Sequence, residues 1–301
     1  MITENQFEVL VYIERNKEKK IPQRQLAKYL NVSVGTINKT ISDLFEMELI
    51  KEVETSRYDI TLKGYEILEP YRVKRAVFLA AGFGSRLVPI TLNTPKPLIM
   101  VKDKKIIETL LDAVLEVGIK EIYVVRGYLK RQFELLLDKY PMIKFIDNPM
   151  YNETNNISSA YYARDLFENA YVLESDLYLS NPCLIRKYEY HTNYLGIKKE
   201  RTDDWCFEMN GNVIKNVQVG GVDCYQMVGI SFWDKIDGKK MSEEIEFVFN
   251  SPGGKEKYWD VVALEVCKKN HNIYLRVCDQ EDIIEIDTLN ELKDVDPVYK
   301  I

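Results

Sequence analysis

Along residues 1 to about 72 the hydrophobic positions fall mainly at helical spacing. Phe7, Leu10, Val11 and Ile13 mark a first helix, and a second starts near Ile21-Pro22-Gln23-Arg24 and runs through Leu26 and Ala27 to Leu30. Pro22 suits a first turn, where its missing N–H costs nothing. Asn31-Val32-Ser33 breaks the pattern, Ser33 can cap the next helix, and Val34, Ile37, Ile41 and Leu44 give that third helix one apolar face to about Met47. Residues 49–53 and 58–62 predict two short strands around a turn at 54–57, followed by a helical stretch from Lys63 to Leu68.

From Val73 the pattern changes to strands alternating with helices. Strands are predicted over Ala76–Ala80, Glu121–Val125, Lys144–Ile146 and Ala170–Glu174, and helices over Ile106–Val117, Leu129–Lys139 and Ser158–Phe167. That order predicts an α/β domain with a parallel or mixed sheet, helices on both faces and a ligand site at the carboxyl ends of the strands. Glu69-Pro70-Tyr71-Arg72 is the expected joint, dividing the chain into residues 1–72 and 73–301.

Composition narrows the function classes. With 301 residues, 46% hydrophobic and 29% charged, the chain is an ordinary globular sequence of about two domains rather than a disordered or fibrous one. No apolar run approaches a bilayer span and the N-terminus lacks a secretory pattern, so a soluble, cytoplasmic chain without membrane contact is expected. Five cysteines (Cys183, Cys206, Cys224, Cys267, Cys278) show no zinc-type pairing and read as reduced thiols. Only two histidines, His191 and His271, are present, which leaves little for histidine-based catalysis; both read as surface or satisfied residues.

The helix and strand order of residues 1–72 resembles a winged helix-turn-helix of the kind found in bacterial transcription regulators. Such a module implies DNA as a partner. Its charge does not press that reading: 11 basic residues face 12 acidic ones, the whole chain carries a net charge of -6, and the third helix offers Asn38, Lys39 and Thr40 without an arginine cluster. A dimerisation or regulatory module is the alternative.

The strongest chemical signal comes after the first strand of the second part: Leu79-Ala80-Ala81-Gly82-Phe83-Gly84-Ser85-Arg86-Leu87-Val88-Pro89, continuing to Thr94-Pro95-Lys96-Pro97-Leu98. Glycines straight after a strand let backbone amides approach phosphates, and Arg86 and Lys96 add fixed positive charge. No GKS or GKT is present, as a P-loop requires, and Leu87 stands where the dinucleotide motif needs its third glycine. The stretch of some twenty positions resembles the signature loop of the nucleotidyltransferases that join a nucleoside triphosphate to a phosphorylated small molecule, such as the nucleoside-diphosphate-sugar pyrophosphorylases. The resemblance implies an α/β fold with a mixed, mostly parallel Rossmann-like sheet and a loop, residues Leu79 to Arg86, that wraps the triphosphate. It further implies that Arg86 and Lys96 are catalytic, stabilising the transition state and the departing pyrophosphate. Gly127 and Tyr128, after a strand, and Asn155 and Asn156, before a helix, match positions near the nucleotide.

Asn155-Asn156-Ile157-Ser158-Ser159, Val172-Leu173-Glu174-Ser175-Asp176, Asp204-Trp205, Val228 to Trp233, Tyr258-Trp259-Asp260 and Ile284-Glu285-Ile286-Asp287 are similar to segments, in the same order, of the bacterial CTP:phosphocholine cytidylyltransferases. Through them the resemblance covers residues 73–301 and implies CTP and phosphocholine as substrates, CDP-choline and pyrophosphate as products, and Mg2+ as cofactor. Asp176 and Asp287 are then the expected metal ligands, with Glu285 as a third ligand or a neighbour. Choline carries a quaternary ammonium, which aromatic faces and a carboxylate recognise. Trp205, Tyr258, Trp259 and Asp260 are the expected choline site, and Trp233, in an apolar run, reads as core. A sugar 1-phosphate or another alcohol phosphate as acceptor is the nearest alternative, and a ligand-sensing transcription regulator with a nucleotidyltransferase-like domain is the other.

Overall fold

The computed structural model describes residues 2–300, and the chain divides into two units, 1–72 and 73–301. In the first, α1 (Glu4–Arg15), α2 (Gln23–Tyr29) and α3 (Val34–Glu46) enclose Phe7, Leu10, Leu26, Ile37, Ile41 and Leu44. Thr3 and Gln6 cap α1 reciprocally, and the Ser33 hydroxyl accepts from Thr36 N at 3.0 Å to start α3. Val34 lies outside the apolar face predicted for α3, because at the first turn it is exposed; Thr40 is buried, which leaves Asn38 and Lys39 as the exposed polar pair. An antiparallel hairpin comes next, β1 (Ile50–Glu54) with β2 (Arg57–Ile60). Its second strand ends earlier than the alternation predicts, since the Thr61 hydroxyl accepts from Gly64 N and starts α4 (Leu62–Leu68).

The second unit is built on a seven-stranded sheet. Its elements are β3 (Arg75–Ala80), the short hairpin β4 (Met100–Val101) and β5 (Lys104–Lys105), α5 (Ile106–Glu116), β6 (Glu121–Arg126), β7 (Ile143–Asp147), α6 (Ile157–Ala163), β8 (Ala170–Glu174) and β9 (Leu177–Leu179). There follow β10 (Asn193–Asn210), β11 (Val213–Trp233), α7 (Lys235–Phe249), β12 (Tyr274–Cys278), β13 (Ile283–Glu285) and α8 (Leu289–Val295). The sheet order is β10-β12-β11-β8-β3-β6-β7, with β8, β3, β6 and β7 parallel and β11 antiparallel to β8. Alternate residues of β3 feed two cores: Phe78 packs with Leu110 and Val124 on one face, and Val77 with Ile157 and Phe167 on the other.

Two predicted helices are altered. Residues 130–138 wind as tight 3-10 turns, entered through Leu129 in the left-handed region, and bury Phe133 and Leu136 at a spacing of three. The helix expected to reach Phe167 closes as α6 at Ala163 and continues only as a 3-10 turn.

From β3 the chain moves outward through β6 to β7, then returns across β3 to β8. The strand order therefore reverses between β3 and β8, and the loops leaving their carboxyl ends flank a crevice, where open α/β sheets bind ligands.

Candidate active site

The loop leaving β3 carries the glycine-rich segment into this crevice. Gly84 adopts φ +63°, and a Cβ there would lie 2.9 Å from Lys96 Cβ and 3.0 Å from Thr91 Cγ2. Only glycine lets the loop fold back so closely on its own lysine. The Thr91 hydroxyl donates to Gly84 O at 2.9 Å, Tyr128 OH donates to Thr91 O at 2.9 Å, and Tyr128 N donates to Ala81 O at 3.1 Å. Phe83 stacks at a tilt on Tyr128 and Tyr151. Phe83, Gly127 and Tyr128 thus brace the loop from behind, whereas Leu79, Ala80, Ala81, Gly82, Gly84, Ser85 and Arg86 line a cavity of about 320 Å³.

Asn155 and Asn156 line the same cavity and tie the start of α6 to residues 255–259. Asn155 Nδ2 donates to Glu256 O, and Asn156 Oδ1 accepts from Trp259 N at 2.9 Å. Sequence reasoning missed Asn148, buried beside the cavity with its amide donating to the Ser158 and Ser159 hydroxyls. Its position directly after a parallel strand was the available signal.

Asp176 follows β8 and Asp287 follows β13, 111 positions later. They meet because β9 pairs antiparallel with β13, Leu177 opposite Glu285, and Ile286 N donates to Asp176 O at 3.1 Å. Lys96 joins them: its Nζ lies 2.8 Å from Asp176 Oδ2 and 2.6 Å from Asp287 Oδ1, while Arg86 Nη2 reaches Asp287 Oδ1 at 2.9 Å. The Lys96 side chain is 10% exposed and Arg86 65%, so one cation is embedded and the other open to the crevice. Burial alone would lower the Lys96 pKa, but Asp176 and Asp287 outweigh it and raise it, keeping the ammonium charged.

Behind these residues lies a half-buried group of carboxylates. Carboxylate oxygens of Glu174, Asp176 and Glu285 lie within 4.8 Å of one another. Burial, with Asp260, Asp176 and Glu285 adding repulsion, holds Glu174 well above the usual carboxylate range. Burial, together with Asp176 and Asp287, pushes Glu285 up to about 8. Asp176 Oδ1 is buried without a hydrogen-bond partner. Such a set of hard oxygen donors, repelling one another and with one lone pair unclaimed, fits a divalent cation such as Mg2+. The closest acidic triple thus includes Glu174, which the sequence reading left out, whereas Asp287 spends its oxygen on Lys96 and Arg86.

Of the four residues expected to hold choline, Trp205, Tyr258 and Asp260 line one small apolar cavity and Trp259 does not. Trp259 is buried against Phe167, Tyr194 and Trp233, and the Asp260 carboxylate, also buried, accepts from Tyr194 OH at 2.6 Å. Burial pushes Asp260 up to about 6 even with that hydrogen bond. Trp205 and Tyr258 meet edge to face with centroids 6.1 Å apart beside this cavity of about 30 Å³. Trp233 is core, as its apolar run predicts. A larger cavity of about 550 Å³ opens instead on the other side of Asp287, bounded by Lys199, Asp204, Gln226, Glu285 and aliphatic residues.

Residues 75–193 match the family model described as "Nucleotidyl transferase", and the chain belongs to the nucleotidyl transferase family. Its relatives include the 2-aminoethylphosphonate cytidylyltransferase of Lancefieldella rimae, 34% identical over 74% of this chain and 92% of that protein. The choline-phosphate cytidylyltransferase of Streptococcus pneumoniae is 29% identical over 75% of this chain and 98% of its own length. The solved structure of the CTP:phosphocholine cytidylyltransferase from Streptococcus pneumoniae superposes with a TM-score of 0.69 at 30% identity, covering 75% of this chain and 99% of that one. No helix of the described residues is long and apolar enough to cross a membrane.

Proposed function

We propose that the chain is a cytidylyltransferase: it transfers the cytidylyl group of CTP to a phosphate or phosphonate oxygen of a small acceptor with a cationic nitrogen, releasing pyrophosphate. Phosphocholine, the acceptor expected from the sequence, belongs to this class. One observation carries the reading: Lys96, Asp176, Asp287 and Arg86 meet where the cavity of the glycine-rich loop adjoins a second cavity that shares Asp287. The similarity to cytidylyltransferases that take a choline phosphate or an aminoethylphosphonate supports the choice of base and acceptor class.

The acceptor oxygen is ionised near pH 7, so no side chain has to remove a proton, and alignment with charge stabilisation carries the reaction. The oxygen attacks the α-phosphorus in line, a new P–O bond forms, the bond to the β-phosphate oxygen breaks, and its electron pair leaves with pyrophosphate. Amides of the Gly82–Arg86 loop orient the triphosphate, and Arg86, exposed to the crevice, follows the charge that moves onto the leaving group. Lys96 stays protonated and reaches the same phosphates once nucleotide competes with its carboxylates. Asp176 with Glu285, Glu174 or Asp287 would hold Mg2+, which supplies charge neutralisation on the phosphates when bound. In this reading residues 1–72 are a winged helix-turn-helix domain, and a mobility shift on promoter DNA with and without CTP tests whether it binds DNA.

The test of the enzyme is pyrophosphate release with Mg2+ from CTP or UTP, offered phosphocholine, phosphoethanolamine, 2-aminoethylphosphonate or glucose 1-phosphate. Turnover confined to CTP and the cationic acceptors is expected. Turnover only with glucose 1-phosphate, or none with any acceptor, would overturn the assignment.

A further inference from the structure

The cavity next to Asp287 has aliphatic and polar walls. Ile197, Met227, Val228 and Ile283 offer aliphatic surface; Asp204 and Gln226 offer hydrogen-bonding groups on one side, and Lys199, Glu281, Glu285 and Glu291 add ionisable groups around the rest; among the described residues no aromatic side chain lines it. Asp204 is exposed to the space, its Oδ1 accepts from Trp205 N at 2.7 Å, and its Oδ2 accepts from Gln226 Nε2 at 3.3 Å. The Thr202 hydroxyl lies 3.3 Å from Gln226 Oε1, so carboxylate and amide oxygens are presented together by neighbouring strands.

These walls discriminate between two kinds of cationic nitrogen. A trimethylammonium group has no N–H to donate and gains its selectivity from aromatic faces. A primary ammonium brings three donors and loses them if it is enclosed by rings alone. The aromatic alternative, with Trp205, Tyr258 and Asp260 on its walls, is the smaller and more apolar space, about 30 Å³ against about 550 Å³. Each of those two rings already packs against the other, Trp259 is committed to the core, and Asp260, on the wall of that space, already accepts from Tyr194 OH.

We propose that the acceptor ends in a primary ammonium, held by the Asp204 carboxylate and the Gln226 amide oxygen in the cavity beside Asp287. The inference rests on the cytidylyltransferase reading and narrows its acceptor class to an aminoalkyl phosphate or phosphonate. The aliphatic walls suit the short carbon chain between the two charged ends, and the shared Asp287 puts the cavity next to Arg86 and Lys96, which with Lys199 on its own wall are cations available to the acceptor's anionic end.

The test uses the full chain with CTP and Mg2+ and a series in which phosphoethanolamine is methylated once, twice and three times on nitrogen, with 2-aminoethylphosphonate alongside. kcat/KM is expected to fall with each methyl group, by about tenfold or more from the primary amine to phosphocholine. Asp204→Asn is expected to raise KM for the primary amine by about tenfold while kcat changes little, because the nitrogen is remote from the reacting phosphorus. Equal or better turnover of phosphocholine, with a KM that rises in Trp205→Ala and not in Asp204→Asn, would overturn the inference and leave the cytidylyltransferase standing. Activity with none of the amines would remove both.

Discussion

Replacing Lys96 with methionine removes one charge from the point where stability and chemistry meet. In the structure its ammonium lies 2.8 Å from Asp176 and 2.6 Å from Asp287, with side-chain exposures of 10%, 21% and 19% for the three residues. Breaking a fully buried pair from one side costs about 3–5 kcal/mol. The aspartates keep some contact with water, which places the cost at or below the lower end of that range, about 2–3 kcal/mol. Lys96→Met should therefore lower the urea midpoint clearly in chelator. Much of that loss should return with 10 mM Mg2+, a divalent cation that takes over neutralising Asp176 and its neighbours. Turnover should not return: losing a fixed charge aimed at the leaving phosphates costs about 10²–10³ in kcat, the scale of an oxyanion-hole donor. Lys96→Arg keeps the charge and most of the stability but replaces a compact ammonium with a planar fork, so it should recover only part of the rate. Two assays at pH 7.5 decide it, urea denaturation with and without Mg2+ and pyrophosphate release at saturating CTP. A kcat within about tenfold of the parent in Lys96→Met, or a stability loss that Mg2+ leaves untouched, would refute the argument.

Residues on either side of that point give two further expected outcomes. Gly84→Ala places a Cβ 2.9 Å from Lys96 Cβ at a backbone with φ +63°, a conformation costing an L-residue about 1–2 kcal/mol, and should raise KM for CTP about tenfold or more in steady-state kinetics. An unchanged KM would mean that the loop does not hold the triphosphate. His271 is buried between Asp237 and Glu244, at 3.2 and 2.6 Å, with Lys240 and Asn270 packed around the same carboxylates. Burial would lower its pKa, but the two carboxylates outweigh it and push it up to about 9 from 6.5. A raised folded-state pKa means that this contribution is full below pH 6.5 and lost as pH rises through 9. It amounts to about 3 kcal/mol at most. The denaturation midpoint should fall between pH 6.5 and 9.5 in the parent and stay flatter in His271→Gln.

The parts of this protein legible in its sequence are those in which neighbours along the chain are neighbours in space. The strand Arg75–Ala80 and the glycine-rich turn after it are read from local order, and Ser33 and the spacing of Ile37, Ile41 and Leu44 define α3. Where pairing is distant the sequence falls silent. Asp176 and Asp287 are joined by the short ladder of β9 and β13, and nothing in either segment states that the other exists; only the resemblance to a known family put them together. The long strands β10 and β11 were missed for a different reason. The charged stretch Lys198 to Arg201 has the composition of a solvated loop, yet it lies within β10, and its Lys199 lines the cavity beside Asp287. Trp259 shows the converse case. A tryptophan beside an aspartate has the chemistry of a cation site, but it packs on Trp233 and Tyr194, and its neighbour's charge is answered by a tyrosine hydroxyl. Residue type states what a side chain could bind, and burial decides whether a ligand can reach it. In the acceptor site proposed above, that distinction favours the polar pair Asp204 and Gln226, which line the larger cavity beside Asp287, over the aromatic pair Trp205 and Tyr258.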